Sequence, residues 1–320
     1  MKFFAVAVRL AIVGCLGVAA GYVAWHPSAV TAAGGVLLVD VGAPAIVADA
    51  QSRSTVVRSR NMAVNFDVMP GRDDRRMFRE PPVILDLFPD VTIVGAFDRY
   101  DLNPGGVTWV GHVEGIPASF ITLVYSGGEM AGSIVLPDGL FQIRPASADA
   151  RRAASQPSLH VVTEIDQSAF LKEATPIDVA ISDADRAAAA NAPMADTADV
   201  IDLMVLYTAQ AATNAGGSAG IANLINLGVS ETNTSYANSG VSQRIRLVHT
   251  AQVGYAETND FSGNLTNLRN GNGALSGIPS LRDSRRADLV TLLIHPPAGD
   301  ACGIAFLMTS ITPAVSVIGA

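Results

Sequence analysis

The chain has 320 residues, 49% hydrophobic and 16% charged, with a formal net charge of −8. That length suits about two domains and supplies ample apolar material for a core. The acidic balance counts against a nucleic-acid partner, and no run of Lys and Arg forms a basic stripe. Arg72, Arg75, Arg76 and Arg79 come closest, but Asp73, Asp74 and Glu80 interleave with them, which reads as a solvated surface segment.

Residues 1 to about 50 read as a leader. Lys2 and Arg9 carry positive charge ahead of an almost wholly apolar run, Leu10 to Trp25. The run is shorter than the ~20 residues of a membrane span and holds Gly14, Gly17 and Gly21, so an export signal is expected, with the product secreted or periplasmic. Small-residue cleavage sites lie at Thr31-Ala32-Ala33 and at Ala48-Asp49-Ala50. Ile12-Val13-Gly14-Cys15 also has the form of a lipoprotein box, and an uncleaved anchor is the remaining alternative. Membrane contact is expected only through this leader.

From 51 to 170 the chain reads as β. Short alternating runs, Thr108 to Gly115, Ser119 to Gly128 and Met130 to Pro145, are punctuated by Gly127-Gly128 and Pro137-Asp138-Gly139. Such turn chemistry between alternating runs predicts sequential hairpins. His160 to Val162 adds a further strand. Residues 171 to 198 are rich in Ala, Asp and Pro and read as an exposed linker.

After Asp199 the grammar changes. Val200 to Thr208 is a near-continuous apolar run, as in a strand buried on both faces. Ser218 to Asn238 has helical periodicity, with Ile221, Leu224, Ile225, Val229, Thr232 and Tyr236 on one stripe. Ser218 is placed as N-cap and Gly240 at the C-terminal end. Gln243 to Tyr255 is a second strand, and Phe261 to Arg269 and Pro279 to Arg286 are short helices. Ala287 to Ile294 is a third strand, and the terminal runs Gly303 to Met308 and Ala314 to Ile318 are a fourth and fifth. The fold class expected is therefore a two-part α+β chain: an all-β domain, then an α/β layer over 199 to 320 with a mixed, mostly parallel five-stranded sheet.

No catalytic constellation emerges from spacing. The five histidines, His26, His112, His160, His249 and His295, form no H-E-x-x-H. His295, at a strand end before Pro296-Pro297, reads as a capping residue rather than a ligand, and His249 as a strand residue. Gly217-Ser218-Ala219-Gly220 lacks the spacing of a nucleophile elbow. Asn270 to Gly277 is glycine-rich but not a phosphate cradle. Of two cysteines, Cys15 leaves with a cleaved signal, leaving Cys302 either as a small buried hydrophobe or as half of a disulfide.

One set of segments says more. "VIDLMVLYTAQA", "LINLGVSETNTSYANSGV", "IRLVHTAQVGY", "LRDSRRADLVTLLI" and "CGIAFLM" follow in order. The sharpest marks are Glu231-Thr232-Asn233 with Tyr236, Asn238 to Val241, Ala287 to Val290, and Cys302 to Ala305. Together they resemble the start of the catalytic domain of secreted bacterial reprolysin-like (metzincin) zinc metalloproteases, including the peptidyl-Asp metalloendopeptidases. Leu87 to Thr92, Thr108 to Gly115 and Gly132 to Pro145 resemble the propeptide of the same proteins.

The resemblance implies a zinc endopeptidase acting on polypeptide substrates by metal-activated water. In that family H-E-x-x-H-x-x-G-x-x-H and a Met-turn follow the last strand seen here. Neither motif occurs in these 320 residues, so no catalytic residue and no metal ligand carries over to any position. Zinc is expected only in a longer protein, and this chain alone is expected to be an inactive N-terminal fragment with an incomplete metzincin subdomain. Gly303, Ile304, Ala305, Phe306 and Leu307 resemble the cleft-edge strand whose backbone pairs with extended substrate. Cys302 resembles the cysteine whose disulfide partner lies further on. The alternative is a non-enzymatic propeptide-type inhibitor or an extracellular binding module.

Overall fold

A computed structural model describes residues 35–42, 55–69, 82–103, 106–170, 175, 177–178, 200–295 and 303–307. It divides into two compact units. The first holds the described residues up to Phe170 together with Ala212–Ser230; the second holds the described residues of Leu171–Ala211 and those from Glu231 onward.

The first unit is built on nine strands: β1 (Leu38–Asp40), β2 (Val56–Val64), β3 (Val83–Phe88), β4 (Val91–Asn103), β5 (Gly106–Val113), β6 (Phe120–Ser126), β7 (Glu129–Leu136), β8 (Gly139–Pro145) and β9 (Leu159–Ile165). A short helix, α1 (Ala148–Ala153), precedes β9. The sheet order is β1-β2-β9-β8-β7-β6-β5-β4-β3, with antiparallel pairing throughout. The two ends of that order meet. Leu37 N–H donates to Ile84 O at 3.0 Å and Ile84 N–H donates to Gly35 O at 3.1 Å, through a parallel bridge of Val36 with Ile84. The result is a nearly closed barrel, which leaves little unpaired edge.

The hairpins predicted from turn chemistry are present. Gly127 and Gly128, both at positive φ (57° and 77°), turn β6 into β7. Both central residues of that turn must be left-handed, which glycine adopts without steric penalty. The interior is filled by one side of each strand, including Leu85, Trp109, Ile121, Leu123, Met130, Ile134 and Ile143. The leader expected through residue 50 contributes β1 to this sheet, with Leu37 and Leu38 fully buried. Strands β2 to β4 are not resolved by the sequence pattern, although Pro89-Asp90 and Asn103-Pro104-Gly105-Gly106 punctuate β4. The Arg-rich stretch around 72–80 lies outside the described residues.

The second unit holds β10 (Ile177–Asp178), β11 (Val200–Thr208), α2 (Ala209–Asn214), whose last residues pass into the first unit, and α3 (Ser218–Asn238), which starts in the first unit and ends here. β12 (Arg244–Val253), α4 (Phe261–Asn270), α5 (Ile278–Arg285), β13 (Leu289–Leu293) and β14 (Phe306–Leu307) follow. β11 is central, with β12 and β13 parallel on either side. Met204 and Leu206 pack with Leu268 of α4, Ile278 of α5 and Val290. Asp260 caps α4, its carboxylate accepting from Gly263 N–H at 2.9 Å.

Strand, helix, strand, helix, strand falls where the periodicity put it. The expected five-stranded sheet is not what the described residues form: three strands make the parallel sheet, and β14 pairs only with β10. Within Gly303 to Met308 the strand is limited to two residues, and Ala314 to Ile318 lies outside the described residues. Ser218, expected as the N-cap, is the first residue of the helix itself.

Candidate functional site

The expected substrate rail, Gly303 to Leu307, is half-buried over Gly303–Phe306 and extended at its end. It already has a partner. β14 pairs in parallel with β10, in register Ile177↔Phe306 and Asp178↔Leu307, and Ile177 N–H donates to Ala305 O at 3.2 Å. The Arg269 guanidinium, in the last turn of α4, lies over the Phe306 ring at 5.1 Å and steadies this strand from the side. The segment expected as an exposed linker therefore supplies two residues that pair with Phe306 and Leu307. Cys302 and the aspartates at 183, 185, 196 and 199 lie outside the described residues.

The carboxyl ends of the parallel strands are tied by Glu257. Its Oε1 accepts from the Thr208 hydroxyl at the end of β11, and its Oε2 accepts from His295 N–H at 2.8 Å beyond β13. Thr208 Oγ1 in turn accepts from Ala211 N–H at 3.1 Å at the start of α2. Both carboxylate oxygens are engaged in holding backbone ends, so Glu257 acts here as a clamp. The sequence pattern gave it no prominence, because a single Glu in a loop has no periodicity to mark it. His295, expected as a capping residue, is instead the group capped: its backbone N–H donates to Glu257.

At the start of β11, Asp202 is buried and receives both arms of Arg246, each at 2.6 Å. This is the bidentate geometry in which Arg binds carboxylate most tightly. Asp202 N–H donates to Asp288 Oδ2 at 2.7 Å and Asp288 N–H donates to Asp202 O at 2.8 Å, so Asp288 fixes where β13 starts along β11. Asn233 does the same for β12: its amide donates to Ile245 O at 2.9 Å and accepts from Ile245 N–H at 2.7 Å. Two marks that carried the resemblance, Glu231-Thr232-Asn233 and Ala287-Asp288-Leu289-Val290, thus hold strand register. Burial, with Arg285 nearby, pushes the His249 imidazole below its ordinary pKa and favours the neutral strand residue expected of it.

No three His, Cys, Asp or Glu side chains converge among the described residues. With no H-E-x-x-H in the 320 residues, the donor set present does not fit a catalytic zinc site, and no chemical step is assigned through one. No helix among the described residues is long and apolar enough to cross a membrane.

Comparison with known proteins bears on the same region. The family model for reprolysin-like metallopeptidases of family M12B matches residues 197–316. Two curated relatives, the peptidyl-Asp metalloendopeptidases of Stenotrophomonas maltophilia strains R551-3 and K279a, are each 29% identical over 196 residues. Each alignment covers 59% of this chain and 43% of the relative, so the chain spans less than half the length of the curated relatives it matches. Among solved structures, metalloproteinase-II from Bacteroides fragilis aligns over 74% of this chain and 73% of its own, at 10% identity and a TM-score of 0.40. The resemblance read in the ordered segments from Val200 to Met308 holds: residues 197–316 are similar in sequence to the reprolysin-like metallopeptidases of family M12B.

Proposed function

We propose that these 320 residues are the N-terminal part of an exported zinc metalloendopeptidase precursor. The barrel serves as propeptide, 171 to 198 as the processing segment, and the parallel sheet as the start of the catalytic domain. The zinc ligands and general base come from residues outside this sequence, and polypeptide is the substrate. Cys302 pairs with a cysteine also outside it. Gly303 to Leu307 is the backbone rail for extended substrate.

The observation that carries this reading is the pairing of Phe306–Leu307 with an extended segment of the chain itself. An edge with free N–H and C=O groups binds an added strand through main-chain hydrogen bonds and needs no particular side chain. Here the added strand is Ile177–Asp178. Running parallel along the rail, it keeps other peptides off. That supplies latency by occlusion in a region, 51 to 198, that holds no cysteine to cap a metal. If the mature enzyme cuts before aspartate, self-processing near Asp183, Asp185, Asp196 or Asp199 frees the catalytic part.

The testing experiment is a read of the coding sequence beyond the codon for Ala320, followed by expression of the whole open frame. An in-frame H-E-x-x-H-x-x-G-x-x-H, with chelator-sensitive peptide hydrolysis by the product, is the expected result. A stop codon directly after Ala320 would overturn the enzyme reading and favour the binding-module alternative. In the longer product, Ile177→Pro deletes the N–H that Ala305 O accepts. It is expected to raise hydrolysis by the unprocessed precursor, and unchanged basal hydrolysis would sink the occlusion.

A further inference from the structure

The barrel's outer face over β6 and β7 is covered by a segment from the far side of the linker. Ala212–Ser230 belongs to the barrel's own compact unit. Leu227 of α3 packs on Val124 and Ala131, and all three are buried. The latter two point away from the barrel interior and would otherwise face water. Around this contact several polar groups pair, although Glu129 Oε2 and Asn226 Oδ1 are buried without a hydrogen-bond partner. Asn223, with no exposed surface, donates from its amide to Glu129 O at 2.9 Å and accepts from the Ser126 hydroxyl at 2.7 Å. Ser230 donates to Asp101 Oδ2 at 3.0 Å. Arg151 of α1 bonds Glu129 Oε1 at 2.7 Å and donates to Gly216 O at 3.2 Å, both charged side chains being largely buried.

Gly216 and Gly220, at the start of the helix, let the surfaces approach this closely. A Cβ at Gly220 would lie 3.3 Å from Glu129 Oε2 and 1.8 Å from Ala215 O. The Glu129 carboxylate thus sits at the first turn of α3, where the aligned peptide dipoles favour negative charge. Buried, hydrogen-bonded charge and an apolar centre within a polar ring are the features that dominate binding energy at interfaces.

We propose that the barrel is a helix-binding module whose ligand is Ala212–Ser230, and that it stays bound there after the linker is cut. Hydrolysis between 179 and 199 would then separate the pieces covalently without releasing the barrel. Release would need a second event that breaks the Glu129–Arg151–Asn223 cluster or cuts the barrel itself. The inference rests on the precursor reading only in treating the linker as a processing segment, and its tests use no peptidase activity, so either can fail alone.

The experiment places a recognition site for a sequence-specific protease between 186 and 195 of the 320-residue chain, cuts it, and follows the two pieces by size-exclusion chromatography. Co-elution in buffer and separation in urea are expected; separation in buffer overturns the proposal. Glu129→Gln with Asn223→Ala should weaken the association of the cut pieces about tenfold or more, seen as separation at lower urea. Should that variant misfold, Ser230→Ala, which removes only the hydroxyl that donates to Asp101, is the milder probe. Its cut pieces should separate at lower urea than the unaltered pair, and an unchanged separation would overturn the proposal.

Discussion

His160 shows what a single buried residue does to this barrel. It is fully buried; its Nε2 accepts from Met130 N–H at 2.9 Å, and its Nδ1 lies 2.7 Å from Ser158 O, which needs the proton on Nδ1. Phe66 packs edge-on to the ring at 6.1 Å. The ring is satisfied only when neutral, because protonation of Nε2 would set two donors against each other. Burial, with the Arg151 cation adding to it, lowers its pKa from 6.5 to about 4. Between those values the unfolded chain binds a proton that the native chain refuses, so stability falls as pH drops from 6.5 toward 4 and levels off below. The shift corresponds to about 3 kcal/mol. The ring protons of His160 should be flat in an NMR titration until pH nears 4, and His160→Gln should flatten the pH dependence of unfolding in this window. A midpoint near 6.5 would defeat the argument. The sequence placed His160 on a strand but could not show this role. Its partners are a backbone N–H thirty residues away and a turn carbonyl, neither of which leaves a motif.

At the scale of elements, strands with turn signals and helices with one apolar stripe were legible, and elements held by polar contacts were not. α3 is the clearest case. Of the stripe Ile221, Leu224, Ile225, Val229, Thr232 and Tyr236, all are buried except Leu224, which is half-buried. A second stripe, Asn223, Asn226, Leu227 and Ser230, is buried as well. Three of those four residues are polar, so a hydrophobic pattern reads them as solvent-facing; only a partner that supplies hydrogen bonds makes the face burial-competent. β5 carries a different kind of hidden constraint. Gly111 pairs with Phe97, and a Cβ there would lie 2.2 Å from Ala96 O and 2.3 Å from the Trp109 ring. Backbone and a fully buried indole cannot both give way. Gly111→Ala is therefore expected to destabilise the barrel by about 2–3 kcal/mol, measured as a lower urea midpoint with unchanged slope. Wild-type stability in that variant would mean that the two strands can separate locally without loss.

At the scale of the whole molecule, barrel closure limits where the proposed leader could end. The sequence offers cleavage near Thr31-Ala32-Ala33 or after Ala48-Asp49-Ala50, and composition alone does not choose between them. Residues 35–42 lie between the two sites. They carry β1, which pairs with β2 at Leu38↔Val64, Val39↔Ala63 and Asp40↔Met62, and the bridge that joins the sheet's other end at Ile84. Leu37 and Leu38 are buried to 0% and 1% exposure, each worth about 2–3 kcal/mol against solvent. The Asp40 carboxylate accepts from Arg60 at 2.6 Å and is held below its usual pKa by that bond. Cleavage near residue 33 keeps this closing segment. Cleavage after Ala50 removes it, exposes Met62, Val64 and Leu85 along the seam, and leaves β2 and β3 as open edges that invite pairing with another chain. On the proposed export, the mature chain is therefore expected to begin close to Gly34 by mass spectrometry of its N-terminal peptide. A chain begun at Gln51 is expected to unfold at lower urea and to aggregate on concentration. A mature start at Gln51, with a barrel as stable as the longer form, would mean that closure is not what holds the nine strands together.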